Sequence, residues 1–342
     1  MSHSEYLASG QYGCVVKPAY HCDIKKELLI DNTIAKIFED KNNYKLELKR
    51  HNQISKIDKN NDFTIKMISN CEIDLSFVNS HVRNMSNCDL IIDANKIYQI
   101  IYEDGGEDLE VFLYNLKSNF DAYEFFKKFI QLFNGIKLLI KNNLSHSDIK
   151  LNNILFNGDR LILIDFGLLL NFDDIFKTHI INLKYTTLPH YPNDLKLYLL
   201  KDSKNKNKNY NYNYDLNSND LLDNLKNYLT NAYDPNYDIY FKHLMNLYNF
   251  IITENNIYCE KFNKKDYRRN ANKIFGEKLD IYQLGIVLIE VIFLIIVSDY
   301  AKEILKIPIE IFEIITQMLE PDVIKRIDID TLIRKYSLLF NK

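Results

Sequence analysis

Ser145–Phe156, which reads S-H-S-D-I-K-L-N-N-I-L-F, decides the reading of this chain together with Leu161–Gly167, L-I-L-I-D-F-G, just beyond it. His146, Asp148, Lys150 and Asn153 fall in the order HxDxKxxN, and Asp165 stands twelve residues after Asn153 at the end of an apolar run. Moving a phosphoryl group asks little covalent chemistry of a protein. Its site reduces to one carboxylate that orients an attacking hydroxyl, and a carboxylate with a carboxamide that hold magnesium. Asp148 fits the first role, and Asp165 with Asn153 fits the second. Either motif alone could be a polar turn after a helix or the end of a buried strand. Their order and separation give them weight.

Such a site needs a phosphate-covering loop and an anchoring lysine upstream. Residues Ala8–Val15 read A-S-G-Q-Y-G-C-V, against the loop pattern G-x-G-x-x-G-x-V. Gly10 and Gly13 are present, and Ala8, the smallest substitute, replaces the first glycine. A hairpin whose backbone bends close over phosphate oxygens is therefore expected. Lys36, in T-I-A-K-I-F, follows in an alternating strand where Ala35 and Lys36 point to opposite faces. It is the candidate for the α- and β-phosphates. The stretch Lys41–Asp58 has helical spacing, with Leu48, His51 and Ile54 on one face, and offers Glu47 as the carboxylate that holds the lysine. Glu39 is a rival only three residues past Lys36. Pairing of Glu47 with Lys49 or Arg50 on an exposed helix surface is the bland alternative.

With these parts in place, the chain resembles the eukaryotic-type serine/threonine protein kinase family over nearly its whole length. Tyr191-Pro192-Asn193-Asp194 occupies the place of that family's A-P-E motif. Asp280 in D-I-Y-Q-L-G, with Gly285, matches the start of the long central C-lobe helix, and Arg326 matches the partner of the A-P-E acid. The resemblance implies an α+β, bilobal protein kinase fold. A small antiparallel-sheet N-lobe with one main helix would span residues 1–103, and a larger, mainly helical C-lobe residues 104–342, with ATP between them. It also implies that Val15, Ala35 and Leu155 line an adenine pocket, and that the interlobe hinge runs through Glu103, Asp104 and Gly105 with Tyr102 as gatekeeper. The activity implied is transfer of the γ-phosphoryl group of ATP, with Mg2+, to Ser or Thr hydroxyls of protein substrates. Lys150 stands where serine/threonine members carry lysine and tyrosine kinases generally do not.

Phrases such as G-Q-Y-G-C-V-V-K-P-A-Y-H-C, A-K-I-F and H-S-D-I-K look closer still to the serine/threonine kinases of nucleocytoplasmic large DNA viruses, which implies the host cytoplasm or the virion. Small-molecule kinases of the aminoglycoside and choline type share the H-x-D and the Asn, but generally lack the equivalents of Lys150, Gly167 and the Asp194 and Arg326 pair. A kinase-like scaffold would usually have lost Lys36, Asp148 or Asp165. Ser147 stands where many of these enzymes carry an arginine that pairs with a phosphate on the activation segment. That segment, with Thr178, Tyr185, Thr186 and Thr187, is therefore expected to reach its active form unphosphorylated.

Composition agrees with this reading. The 342 residues, 46% hydrophobic, can bury one large or two modest cores. A net charge of −3 gives no general pull toward nucleic acid or an anionic membrane. With the loop motif starting at residue 8, no signal peptide is expected. The strongest apolar run, Leu284–Val297, is short and carries Glu290, as suits a buried helix better than a membrane span. Cys14, Cys22, Cys71, Cys88 and Cys259 are an odd number without a CxxC pair, so free thiols are expected.

Asp194 and Asp280 lie 86 residues apart, which marks an insertion at about 196–275. Its Lys204–Asp220 segment is low in complexity and expected to be disordered. Tyr237–Ile252 has Ile239, Leu244, Leu247 and Ile251 near helical spacing. Lys264, Lys265, Arg268, Arg269 and Lys273 form a basic cluster, for which a solvated helix face is the expected role and docking of acidic substrates or nucleic acid the alternative.

Overall fold

Ser4–Gly10 (β1) and Gly13–Lys17 (β2) form an antiparallel hairpin that brings Gly10 opposite Gly13. A Cβ on Gly13 would lie 2.3 Å from the Ile37 carbonyl oxygen, so the strand that follows the loop packs too closely on its neighbour for any side chain here. The computed structural model describes residues 4–10, 13–22, 29–74, 82–83, 88, 96–175, 192, 239–240, 242–247, 249–250 and 270–340. They divide into two compact units: Met1–Gly106 with Ile162–Gly167, and Glu107–Leu161 with Leu168–Lys342.

In the first unit, Ala19–Tyr20 (β3) and Leu29–Ile30 (β4) make a small ladder, followed by Thr33–Phe38 (β5) and the helix Lys41–Ile57 (α1). Met67–Asp74 (β6), Val82–Arg83 (β7) and Lys96–Glu103 (β8) complete a six-stranded sheet of order β6-β8-β5-β2-β1-β7. All its pairings are antiparallel except β1 with β7. Asp40 caps α1 by accepting from the Asn43 amide at 2.7 Å, satisfying one of the donors a helix start leaves open. Beyond the helix, the buried Asp58 carboxylate gathers the amides of Asp62, Phe63 and Thr64 and the Thr64 hydroxyl, which fixes the exit of α1.

Alternation gives this sheet two distinct faces. Val15, Lys36, Phe38, Tyr98 and Tyr102 share one, and α1 lies on it. Tyr44 stacks on Tyr98 with centroids 5.3 Å apart, and its hydroxyl donates to Asn70. On the other face, register places Cys14, Ile37, Gln99 and Cys71 side by side across β2, β5, β8 and β6. There Val16, Ala35, Ile73, Ile97 and Ile101 form a second core with Ala19, Tyr20 and Cys88.

Two disulfides close that core, Cys14 to Cys88 and Cys22 to Cys71, with Cα atoms 6.1 and 5.8 Å apart, inside the range a bridge requires. The expectation of free thiols is overturned for these four residues; Cys259 lies outside the described residues. The partners are 74 and 49 residues apart in sequence, so no short spacing announces them. Each bridge ties a strand cysteine, Cys14 of β2 or Cys71 of β6, to one outside the strands, Cys88 or Cys22, by packing that spacing does not reveal.

The second unit begins with Glu107–Asp108 (β9), then Leu109–Tyr114 (α2), Ala122–Lys127 (α3) and Phe129–Lys141 (α4). Leu144–Ser145 (β10), Ile154–Phe156 (β11) and Leu170–Asn171 (β13) are short, and Leu161–Leu163 (β12), whose last two residues belong to the first unit, falls between β11 and β13 in sequence. Ala271–Ile296 (α5), Ile311–Met318 (α6) and Ile329–Phe340 (α7) follow. Phe112, Phe125 and Phe156 pack ring on ring, and Tyr336 of α7 donates its hydroxyl to the Phe126 carbonyl at 2.8 Å.

Helix α5 is long and apolar enough to cross a membrane by length and composition, but its most apolar window is 89% buried in the protein. Burial, with the Glu110 carboxylate nearby, pushes the Glu290 carboxyl up to about 7. A carboxyl with a raised folded pKa stabilises fully below its unfolded value near 4.5, and that contribution is lost as pH rises through 7. Glu290→Gln should therefore melt progressively higher than wild type as pH goes from about 5 to about 8. A melting gap that stays constant across this range would show that Glu290 is not held protonated.

Of the insertion, residues 239–240, 242–247, 249–250 and 270–275 are described, and those up to 250 are helical. Among the described residues of the 239–250 stretch, Tyr240, Leu244 and Leu247 are buried, while Ile239 is 54% exposed. The packed face thus starts one residue later than the spacing suggested, because positions i, i+4 and i+7 beginning at Tyr240 share a helix face. The Tyr240 hydroxyl donates to the Ile307 carbonyl at 2.6 Å. Lys273 pairs with Glu277 on α5 at 3.7 Å. Lys204–Asp220, Ile251, Lys264, Lys265, Arg268 and Arg269 lie outside the described residues.

Candidate active site

In the first unit, the Lys36 ammonium lies 2.9 Å from Glu47 Oε1 and 3.6 Å from Asp165 Oδ1. Glu47 reaches it because Tyr44, Glu47, Leu48 and His51 share the face of α1 that lies on the sheet. Glu39 is exposed beyond the strand end. Burial favours a neutral Lys36, yet the Glu47 and Asp165 carboxylates outweigh it and raise its pKa above the ordinary lysine value. Lys36 is therefore a fixed cation at any physiological pH. Asp165 has left-handed backbone (φ 57°) and accepts from the Gly167 amide at 3.2 Å. A Cβ on Gly167 would come within 2.9 Å of that same Asp165 oxygen, so a side chain here would press on the carboxylate.

Tyr102 is buried on the Lys36 face, edge-on to His51 at 5.5 Å. Burial, with Glu47 and Asp165 nearby, raises its hydroxyl pKa well above the ordinary value. Past it, the Glu103 amide donates to Lys66 and the Asp104 amide to Asn32, each at 3.0 Å, and Gly105 is buried. Val15 pairs directly with Lys36 across the sheet, and Ala8 stands opposite Val15. Ala35 requires a correction. It is fully buried in the second core, on the face away from Lys36. Strand alternation gives the position beside Lys36 to Ile34, which pairs with Tyr102.

In the second unit, Asp148 Oδ2 accepts from the Lys150 ammonium at 3.0 Å and from Asn153 Nδ2 at 2.9 Å. The Asn153 amide also donates to the Asp148 carbonyl at 2.8 Å, so one side chain grips this residue at both backbone and carboxylate. Leu155 is buried in β11, opposite Asp108. Beneath this loop, Asp280 of α5 accepts from the Ser145 hydroxyl and the Ser147 amide through Oδ1, at 2.8 and 2.9 Å, and from the His146 amide through Oδ2 at 2.8 Å. Burial raises the Asp280 pKa, against the opposing pull of His146 and these donors.

Arg326 is buried over the Tyr282 ring, 5.0 Å from its centroid, and donates through Nε to the Glu320 carbonyl. Its expected partner Asp194, and the candidate phosphorylation sites Thr178, Tyr185, Thr186 and Thr187, lie outside the described residues. Sequence reading missed two residues of these surroundings, Ile34 and Gln283. Strict alternation from Lys36 finds the first, and a carboxamide one turn after Asp280 in an apolar helix is the only signal for the second.

A cation held by carboxylates in one unit, and a carboxylate held by a lysine and an asparagine in the other, are tools for handling phosphate charge rather than for covalent chemistry. The class they define is a phosphotransferase. The family model for protein tyrosine and serine/threonine kinases matches residues 1–184, more than half of the chain, and the chain belongs to that family. No individual curated protein matches it at a significant level.

Proposed function

We propose that the protein is an ATP- and Mg2+-dependent kinase acting on serine and threonine hydroxyls of proteins. The observation that carries the specificity is the Lys150 ammonium 3.0 Å from Asp148 Oδ2. A cation bonded to the carboxylate that orients the hydroxyl can offset charge on the phosphoryl group as it moves, and serine/threonine members of the family carry lysine two residues after this Asp. In this reading Asp148 aligns the substrate hydroxyl and accepts its proton. Lys36, held by Glu47, binds the α- and β-phosphates under the Gly10 and Gly13 loop.

Magnesium takes hard oxygen ligands, and two suitable donors are present. The Asp165 side chain is 46% exposed. The Asn153 nitrogen is engaged by Asp148, which leaves its carbonyl oxygen for a cation. The ion, when bound, would offset charge on the nucleotide phosphates.

The test is transfer of radiolabelled phosphate from Mg-ATP to generic protein substrates, followed by phosphoamino-acid analysis. Phosphoserine and phosphothreonine are expected. Label found only on tyrosine would overturn the specificity, and magnesium-independent or absent labelling would overturn the proposal.

A further inference from the structure

We infer that Gln283 is a positioning residue for phosphoryl transfer, its carboxamide fixing the backbone on both sides of Asp148. The inference rests on the reading of Asp148 as the residue that aligns the hydroxyl. Gln283 is fully buried. Its Nε2 donates to the Ser147 carbonyl at 3.2 Å, and its Oε1 accepts from the Ile149 amide at 3.1 Å. Those two groups belong to the two peptides that flank the Asp148 Cα. One side chain therefore holds both, and it projects from the rigid, buried helix α5 rather than from the loop itself.

The other peptide groups here have partners of their own. Asp280 takes the His146 and Ser147 amides. The Asp148 amide donates to His146 Nδ1 at 3.3 Å, and the Asp148 carbonyl accepts from Asn153. Ser147 has left-handed backbone (φ 67°), which a non-glycine residue keeps only where its surroundings enforce it. A buried carboxamide in an apolar helix is unfavourable unless both its donor and its acceptor are used. Here both are used, and both on the residues that flank Asp148. A carboxylate or an apolar side chain of similar size would not supply donor and acceptor together, and a hydroxyl would offer both only from a single atom.

Gln283→Met keeps the volume and removes both hydrogen bonds. We expect kcat to fall on the order of 100-fold, as for a reacting group displaced by about 1 Å, while KM for ATP changes by less than about twofold. The Mg-ATP-induced rise in melting temperature should persist. Gln283→Asn keeps both groups on a side chain one methylene shorter, so an intermediate kcat is expected, and this variant decides the matter if the methionine variant does not fold. Wild-type kcat in either folded variant overturns the inference. So does failure of both to fold, since Gln283 would then serve the fold and not the reaction. Wild type and Asp148→Asn, assayed alongside, separate the two levels. If wild type transfers no phosphate, or Asp148→Asn transfers it normally, the reading of Asp148 falls and takes the inference with it. Normal controls with an unaffected Gln283→Met overturn the inference alone.

Discussion

Asp148→Asn is expected to lower phosphoryl transfer by on the order of 100- to 10,000-fold, the range typical for removal of a general base. Nucleotide binding should survive. The substitution keeps the shape of a side chain that is 12% exposed, and it leaves the Asn153 bond to the Asp148 carbonyl in place. What it removes is the charge that pairs with Lys150 and the basicity that would take the hydroxyl proton. Asp165→Asn makes the informative contrast, because that carboxylate is assigned to magnesium and touches Lys36 at 3.6 Å. A ligand at about 100 times its dissociation constant stabilises a fold by about 2.7 kcal/mol, readily seen as a melting shift. Asp148→Asn should keep this shift with Mg-ATP, and Asp165→Asn should lose most of it. Full turnover by Asp148→Asn, or an undiminished shift in Asp165→Asn, would show that the roles are wrongly assigned.

Reduction of the two disulfides should cost the first unit more stability than any single core substitution. The bridges close loops of 74 and 49 residues, for which the chain-entropy relation gives about 4 kcal/mol each, with about 2–4 kcal/mol typical of measured bridges. Denaturant unfolding with and without reductant measures the difference. The two bridges should also differ in accessibility. Cys14 and Cys88 are buried, whereas Cys22 and Cys71 are partly exposed, so the Cys22–Cys71 bridge should open first. A native chain in which all of these cysteines titrate as free thiols, or an unfolding midpoint indifferent to reductant, would refute the pairing.

What the sequence revealed and what it hid follow from the range of the interactions. The Lys36 and Glu47 pair was legible because both elements are regular. Period two fixes the face of the lysine, and period 3.6 fixes the face of the glutamate. Asp148, Lys150 and Asn153 were legible because they interact within a few residues of one another. Ala35 follows alternation rather than the motif: the period of two that aims Lys36 at α1 turns its neighbour into the opposite core. The disulfides and the Gln283 contacts depend on packing between segments 49 or more residues apart; nothing local encodes the bridges, and only a polar residue in an apolar helix hints at Gln283.

The sheet of the first unit is covered by α1 on one face and by the cystine-bounded core on the other. Its central strands, β5 and β8, have hydrogen-bonded neighbours on both sides. For the amides of Ala35, Lys36 and Ile37, and of Gln99, Ile100 and Ile101, no local fluctuation opens a path to deuterium, so their exchange should report only the rarest opening of the whole unit. The two-residue pairing of β1 with β7 at the sheet margin should exchange much earlier. Lys36 thus extends from a strand expected to be among the slowest-exchanging of its unit, and its ammonium should keep its place when the margin of the sheet opens.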